Sequence, residues 1–150
     1  MGRWVIGIGL VVVIGIGALI FRNFLPGNAG DLKVGDCFDV PQGNEVGDVQ
    51  HHPCTDPHDG EVILVADYTG SDTYPTVDQF DTWVGGKCVD AAFPAYVGDA
   101  FTAREDINLG YFYPKEDGWT KDKDRKMVCY VSPAAGGKVS VSYAKAAAPS

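Results

Sequence analysis

The sequence predicts an α+β domain: a small, mostly antiparallel sheet with one main packed helix, preceded by a single transmembrane helix. Three observations predict it. Eighteen uncharged residues, Trp4 to Phe21, lie between Arg3 and Arg22 at the start of the chain. Short β-branched stretches bounded by turn residues follow, above all Glu61 to Tyr68 (EVILVADY). Apolar residues then step by three and four from Val77 to Tyr96, the period of an amphipathic helix.

At about 1.5 Å per residue, a helix over the opening run spans roughly 27 Å, close to the hydrocarbon thickness of a bilayer. A signal-peptide core is about 7–15 residues long and ends in small residues at a cleavage site. This run is longer, and the segment after it offers only Asn28 and Gly30 as a small pair. Residues 4–22 are therefore read as an uncleaved signal anchor, with residues 1–3 cytoplasmic and residues 23–31 a linker. Arg3 flanks one end and Arg22 and Lys33 the other, so the positive-inside rule does not choose an orientation. The rest of the chain does. Without Arg3 and Arg22 it holds 10 basic and 20 acidic residues, a net charge of −10. Its four cysteines favour an oxidising compartment. The C-terminal domain is expected outside the cell membrane, and the membrane itself is the first expected partner, through Trp4–Phe21.

Residues 32–132 have the size of one domain with one core. Lys33 to Val40 alternates, with Val34, Cys37 and Phe38 as candidates for burial. Pro41-Gln42-Gly43-Asn44 is a turn signal, and Val46 to Cys54 returns as a partner strand with Val49 and His51 on one face. Glu61 to Tyr68 is the strongest strand. The helix follows, with Thr76 or Thr73 as its cap and Pro75 at its entrance. Val77, Phe80, Val84, Cys88, Ala91 and Tyr96 form its stripe. Gly85-Gly86 interrupts that stripe and predicts a break or a close backbone contact. Leu109 to Tyr113 and Lys126 to Val131 are the last strong strands, with a turn carrying Trp119 between them. Residues 133–150 are a low-complexity tail in which only Val139, Val141 and Tyr143 alternate, enough for one short strand before a frayed end.

Four cysteines allow three pairings. The natural one joins Cys37 to Cys54 across the first hairpin and Cys88 on the helix to Cys129 in the last strand. Loops of that size are worth roughly 3 and 4 kcal/mol. The competing reading is a metal site, because His51, His52, Cys54 and His58 cluster at short spacing. No CxxC pair supports it, and oxidised cysteines do not ligate, so no metal or other cofactor is expected. His51, His52 and His58 remain the alternative ligand set.

His58, Asp59 and Glu61 precede the strongest strand. A histidine beside carboxylates is the pattern of a general base or a pH sensor. The favoured reading is a loop held by side-chain hydrogen bonds; a metal-dependent or hydrolytic envelope enzyme centred on His58 and Glu61 is the alternative. No nucleophile motif accompanies it, neither G-x-S-x-G nor S-x-x-K, and the chain is not expected to be an enzyme. Tyr111, Tyr113 and Trp119 are candidates for the wall of a groove, with core packing as the commoner fate. An acidic chain without a basic patch does not suit nucleic acid. Membrane-proximal proteins are the expected partners.

The order of pieces resembles a known family. Leu32-Lys33-Val34-Gly35-Asp36-Cys37-Phe38 is followed by Pro53-Cys54, then by Pro57-His58-Asp59-Gly60-Glu61-Val62. A helix bearing Cys88 and Phe93-x-x-Tyr96-Val97-Gly98 comes next, then Tyr111-Phe112-Tyr113-Pro114, Trp119, Asp124-Arg125 and Cys129. Over residues 32–131 this is similar to the septum-formation domain family of actinobacterial membrane and secreted proteins. The resemblance implies a link to cell division or the envelope. It implies no catalytic residues.

Overall fold

The computed structural model describes residues 12–13, 19–24, 31–41 and 49–145. In chain order its strands are β1 (Val12–Val13), β2 (Leu19–Phe24), β3 (Cys37–Phe38), β4 (His51–His52), β5 (Gly60–Asp67), β6 (Ile107–Tyr113) and β7 (Lys126–Pro133). They lie side by side in the order β1-β2-β6-β7-β5-β3-β4. The five from β6 to β4 are antiparallel to one another, while β2 runs parallel to β6. Most of the spanning helix expected over residues 4–22 lies outside the described residues. The described parts of that run are extended. Among the described residues no helix is long and apolar enough to cross a membrane.

β5, β6 and β7 are buried on both faces, which explains why β6 and β7 read as nearly continuous apolar runs. Ile107, Leu109 and Tyr111 face the helical side with Met127, Cys129 and Val131. Phe112, Val128 and Tyr130 face the other side, where Leu32, Phe38, Val49 and Val62 cover them. β5 does not alternate cleanly. Ile63 and Leu64 both pack on the helical side, while Val62 and Val65 belong to the opposite one. A register shift against β7 between Val62 and Leu64 makes this possible, because a bulge re-aims one side chain.

The periodic segment is one helical run in three parts: α1 (Val77–Val84), a π-helical stretch (Gly85–Ala92) and α2 (Phe93–Val97). Thr76 is the cap. Its hydroxyl accepts from Gln79 N while the Gln79 side chain accepts from Thr76 N, a complete capping box. Phe80, Trp83, Val84, Cys88 and Val89 are buried, whereas Val77 and Ala91 are exposed. Gly85 and Gly86 neither break the run nor make a close contact, since a Cβ at either would meet nothing within 4 Å. They open the widened turn instead, the usual form of a π-type insertion within a helix. Gly98, at φ 98°, ends the run in the left-handed region that glycine favours.

Both disulfides pair as the hairpin and helix positions suggested, Cys37–Cys54 and Cys88–Cys129. The second staples the π-helical stretch to β7. Three local expectations are corrected. Val34 is 52 % exposed, because the ladder around it shrinks to Cys37–Phe38. His51 is exposed although Val49 is buried, because the partner strand is only His51–His52. The turn expected to carry Trp119 is a short helix, α3 (Glu116–Lys121), with Glu116 and Asp117 in its first turn and Lys121 in its last, charges that suit the helix dipole.

Candidate functional site

The pattern Pro57-His58-Asp59-Gly60-Glu61 enters β5 at its first residues, and the fold turns all three polar side chains inward or onto backbone. His58 and Glu61 are both fully buried. Gly60 sits against the Phe38 ring, and a Cβ there would fall 2.7 Å from it, so this corner accepts no larger residue. Asp59 Oδ1 accepts from Val40 N at 2.5 Å and holds the preceding strand. The His58 ring donates through Nδ1 to Asp56 O at 2.8 Å, closing its own turn.

The C-terminal segment covers these groups. His58 and Val139 exchange backbone hydrogen bonds, His58 N to Val139 O at 2.9 Å and Val139 N to His58 O at 2.8 Å. Glu61 Oε1 accepts from the Tyr96 hydroxyl at 2.5 Å and the Ser142 hydroxyl at 2.5 Å, and Oε2 accepts from Tyr143 N at 2.8 Å. Lys145 N donates to Tyr96 O at 2.7 Å, and Lys138 pairs with Asp39. The expected short strand over Val139–Tyr143 is a single bridge, residues 133–145 are laid along the domain, and most of the expected frayed end lies outside the described residues.

Burial, reinforced by the Glu61 carboxylate, raises the Tyr96 hydroxyl well above the ordinary tyrosine range and keeps it a donor. Desolvation opposes ionisation of Asp39, but hydrogen bonds from Lys138 and His52 outweigh it and hold that carboxyl below its usual value.

The histidines do not converge. His51 lies 3.8 Å from Asp36, and His52 lies 2.9 Å from Asp39. Adjacent positions on β4 send the two rings to opposite faces. The group with ligand spacing is different: Cys37, Cys54 and His58.

The aromatics form no wall beside His58 and Glu61. Trp119 donates from Nε1 to Asp72 O at 3.1 Å and packs edge-on to Tyr68, with centroids 5.7 Å apart. The Arg125 guanidinium lies 3.6 Å above the Trp119 ring. The Tyr111 hydroxyl donates to Asp81 Oδ1 at 2.7 Å, and Tyr113 packs on Phe80 at 4.9 Å. Tyr68 follows β5 and Glu61 is near its start, about 23 Å away along an extended strand. Trp119, packed on Tyr68, therefore lies at the far end of β5 from Glu61.

Two shallow cavities of about 350 and 450 Å³ lie on either side of Trp83. Tyr68, Thr69, Asp78 and Thr82 line one, and Leu64, Asp67, Lys87 and Ala92 belong to the other. Trp83, whose Nε1 is buried without a hydrogen-bond partner, was absent from the sequence-based site residues. The signal was available: Trp83 is three residues after Phe80 on the helical stripe.

The family model described as Septum formation matches residues 34–149, more than three quarters of the chain. The match runs through the C-terminal segment that closes over Glu61. No curated protein and no solved structure matches.

Proposed function

The chain belongs to the septum-formation family, and on that premise we propose a membrane-anchored, extracytoplasmic, non-catalytic module that serves cell division or the envelope by binding protein partners. One observation carries the non-catalytic part. The two side chains with the look of general acid–base groups, His58 and Glu61, are fully buried and engaged by the chain's own turn and tail. A general base needs to be within hydrogen-bond reach of a substrate proton. Here the Glu61 oxygens face Tyr96, Ser142 and Tyr143.

The anchor rests on the composition of Trp4–Phe21 and the outside placement on the acidic, disulfide-bearing domain. The six residues 25–30 that separate β2 from the rest of the domain reach roughly 20 Å when extended. The domain then works close to the membrane, beside membrane-embedded machinery. The net charge of −10 disfavours adsorption to anionic lipid heads, which leaves protein contacts as the tether. The open grooves beside Trp83 are the surface best suited to such a contact.

Complementation of a deletion strain tests this. The full chain, and a chain whose Trp4–Phe21 is replaced by an unrelated spanning helix, should both restore growth and division. Residues 31–150 secreted without an anchor should not. Full rescue by the secreted form would overturn the anchored reading.

A further inference from the structure

The Cys37–Cys54 disulfide and His58 form a second constellation that the tail clamp does not use. One ring nitrogen of His58 and the two sulfurs lie within 4.8 Å of one another. His58 is fully buried. Its Nδ1 is committed to Asp56 O at 2.8 Å, while Nε2 has no hydrogen-bond partner. A ring that donates through one nitrogen to a backbone carbonyl presents a lone pair on the other, which is how metal-ligating histidines are oriented. A fully buried ring nitrogen without a partner is also unusual among native polar groups.

The two disulfides differ in access. Cys88 and Cys129 are sealed in the core, at 0 % and 1 % exposure. Cys37 is equally buried, but Cys54 is only partly covered, so this pair is the less sealed of the two and Cys54 is its side nearer solvent. A thiolate from a dithiol reductant attacks Cys54 Sγ, the Sγ–Sγ bond breaks, and Cys37 leaves as the thiolate. The second thiol of the reductant then displaces Cys54. Two electrons have passed, leaving two cysteine thiols and an oxidised dithiol. In a tetrahedral zinc site with Zn–S near 2.3 Å and Zn–N near 2.1 Å, ligand atoms sit about 3.5–3.8 Å apart. Reaching that spacing requires the two sulfurs to move apart once the bond between them is reduced.

We propose that Cys37, Cys54 and His58 are a redox-gated site for one thiophilic divalent cation of the Zn²⁺ class, closed as a disulfide and opened by a thiol reductant. Binding releases the two thiol protons to solvent, and water completes the coordination from the Cys54 side. The cation then keeps β3 tied to the Cys54 loop when the covalent bond is gone.

The test uses the full chain in detergent micelles, with Co²⁺ as the spectroscopic probe and Zn²⁺ as its competitor. The oxidised chain should show no thiolate-to-cobalt charge-transfer band. After reduction by a phosphine, one Co²⁺ per chain should bring up that band together with tetrahedral d–d absorption, and Zn²⁺ should erase both. Cys37→Ser should abolish the band, and His58→Gln should weaken binding by about tenfold or more. His58 is buried, so a second measurement avoids substitution. In the reduced wild-type chain Zn²⁺ should protect Cys37 and Cys54 from alkylation, mapped by mass spectrometry, and leave the reactivity of Cys88 and Cys129 unchanged. Absence of the band after reduction, or equal protection of all four cysteines, would overturn the site.

Discussion

Removing the Glu61 carboxylate should release the C-terminal segment while leaving the sheet folded. In Glu61→Ala three donors lose their acceptor: the Tyr96 hydroxyl, the Ser142 hydroxyl and Tyr143 N. Hydrogen bonds to a carboxylate contribute about 1.5–3 kcal/mol each, so a fixed structure would lose up to roughly 5–9 kcal/mol. The segment need not stay fixed. Once it lifts away, Ser142 and Tyr143 find water, and the cost stops at the free energy of docking the segment. That limit puts the loss at about 2–4 kcal/mol, or a thirtyfold to thousandfold rise in local opening.

Glu61→Gln separates charge from shape. If its amide turns so that the oxygen meets Tyr143 N, the nitrogen can donate to the two hydroxyls, which rotate to accept. The loss should fall to about 1 kcal/mol. Amide hydrogen exchange reads the effect at Val139, Tyr143 and Lys145, each of which donates a backbone hydrogen bond when the segment is docked. In Glu61→Ala these three should lose protection by about thirtyfold or more, with β7 amides changed far less. Unchanged exchange at the three positions would refute the clamp. An equal loss at β7 would show that Glu61 supports the whole core rather than one segment.

Two further outcomes follow from burial and close approach. Burial, first among the causes, raises the hydroxyls of Tyr74, Tyr96 and Tyr143 above their ordinary value of 10.0. A raised folded-state value means stability that is complete below pH 10 and lost as pH climbs toward the folded-state values. Thermal melts should hold steady from neutral pH to about pH 10 and fall beyond it, with a shallower fall in Tyr96→Phe. Gly110→Ala should cost about 1–3 kcal/mol in urea unfolding, because a Cβ there overlaps the Tyr130 ring, itself packed between Phe38 and Phe112. Gly86→Ala, where a Cβ meets nothing within 4 Å, should instead stabilise by about 1 kcal/mol. Equal midpoints for the two glycine variants would contradict the packing argument.

What was legible in the sequence is what local periodicity carries. The apolar stripe marked the helical run, and Thr76 marked its start. The β-branched stretch marked β5 within one residue at each end. Cysteine positions on those elements then marked both disulfides. What was not legible depends on distant partners. β3 and β4 are two residues each, too short for alternation to register. α3 is six residues and carries Gly118, so its helical form shows mainly in the charges at its ends. The tail is poor in apolar residues, and what fixes it is a carboxylate some eighty positions earlier in the chain (|i−j| of 81 and 82).

Glu61 shows how a catalytic-looking motif can serve the fold. A histidine and a glutamate three residues apart at the head of a strand have the right chemistry for proton transfer, and sequence spacing cannot say what meets their free atoms. In an enzyme that partner is a cavity. Here the cavities beside Trp83 do not include His58 or Glu61 in their lining. The carboxylate instead organises Tyr96 from the helix with Ser142 and Tyr143 from the tail, joining both parts of the chain to the start of β5. A group used in this way is under constraint as severe as a catalytic one. Its loss would be felt first in how the tail lies, and only through that in whatever the domain binds. On the proposed binding role, the informative surface is the pair of open grooves beside Trp83.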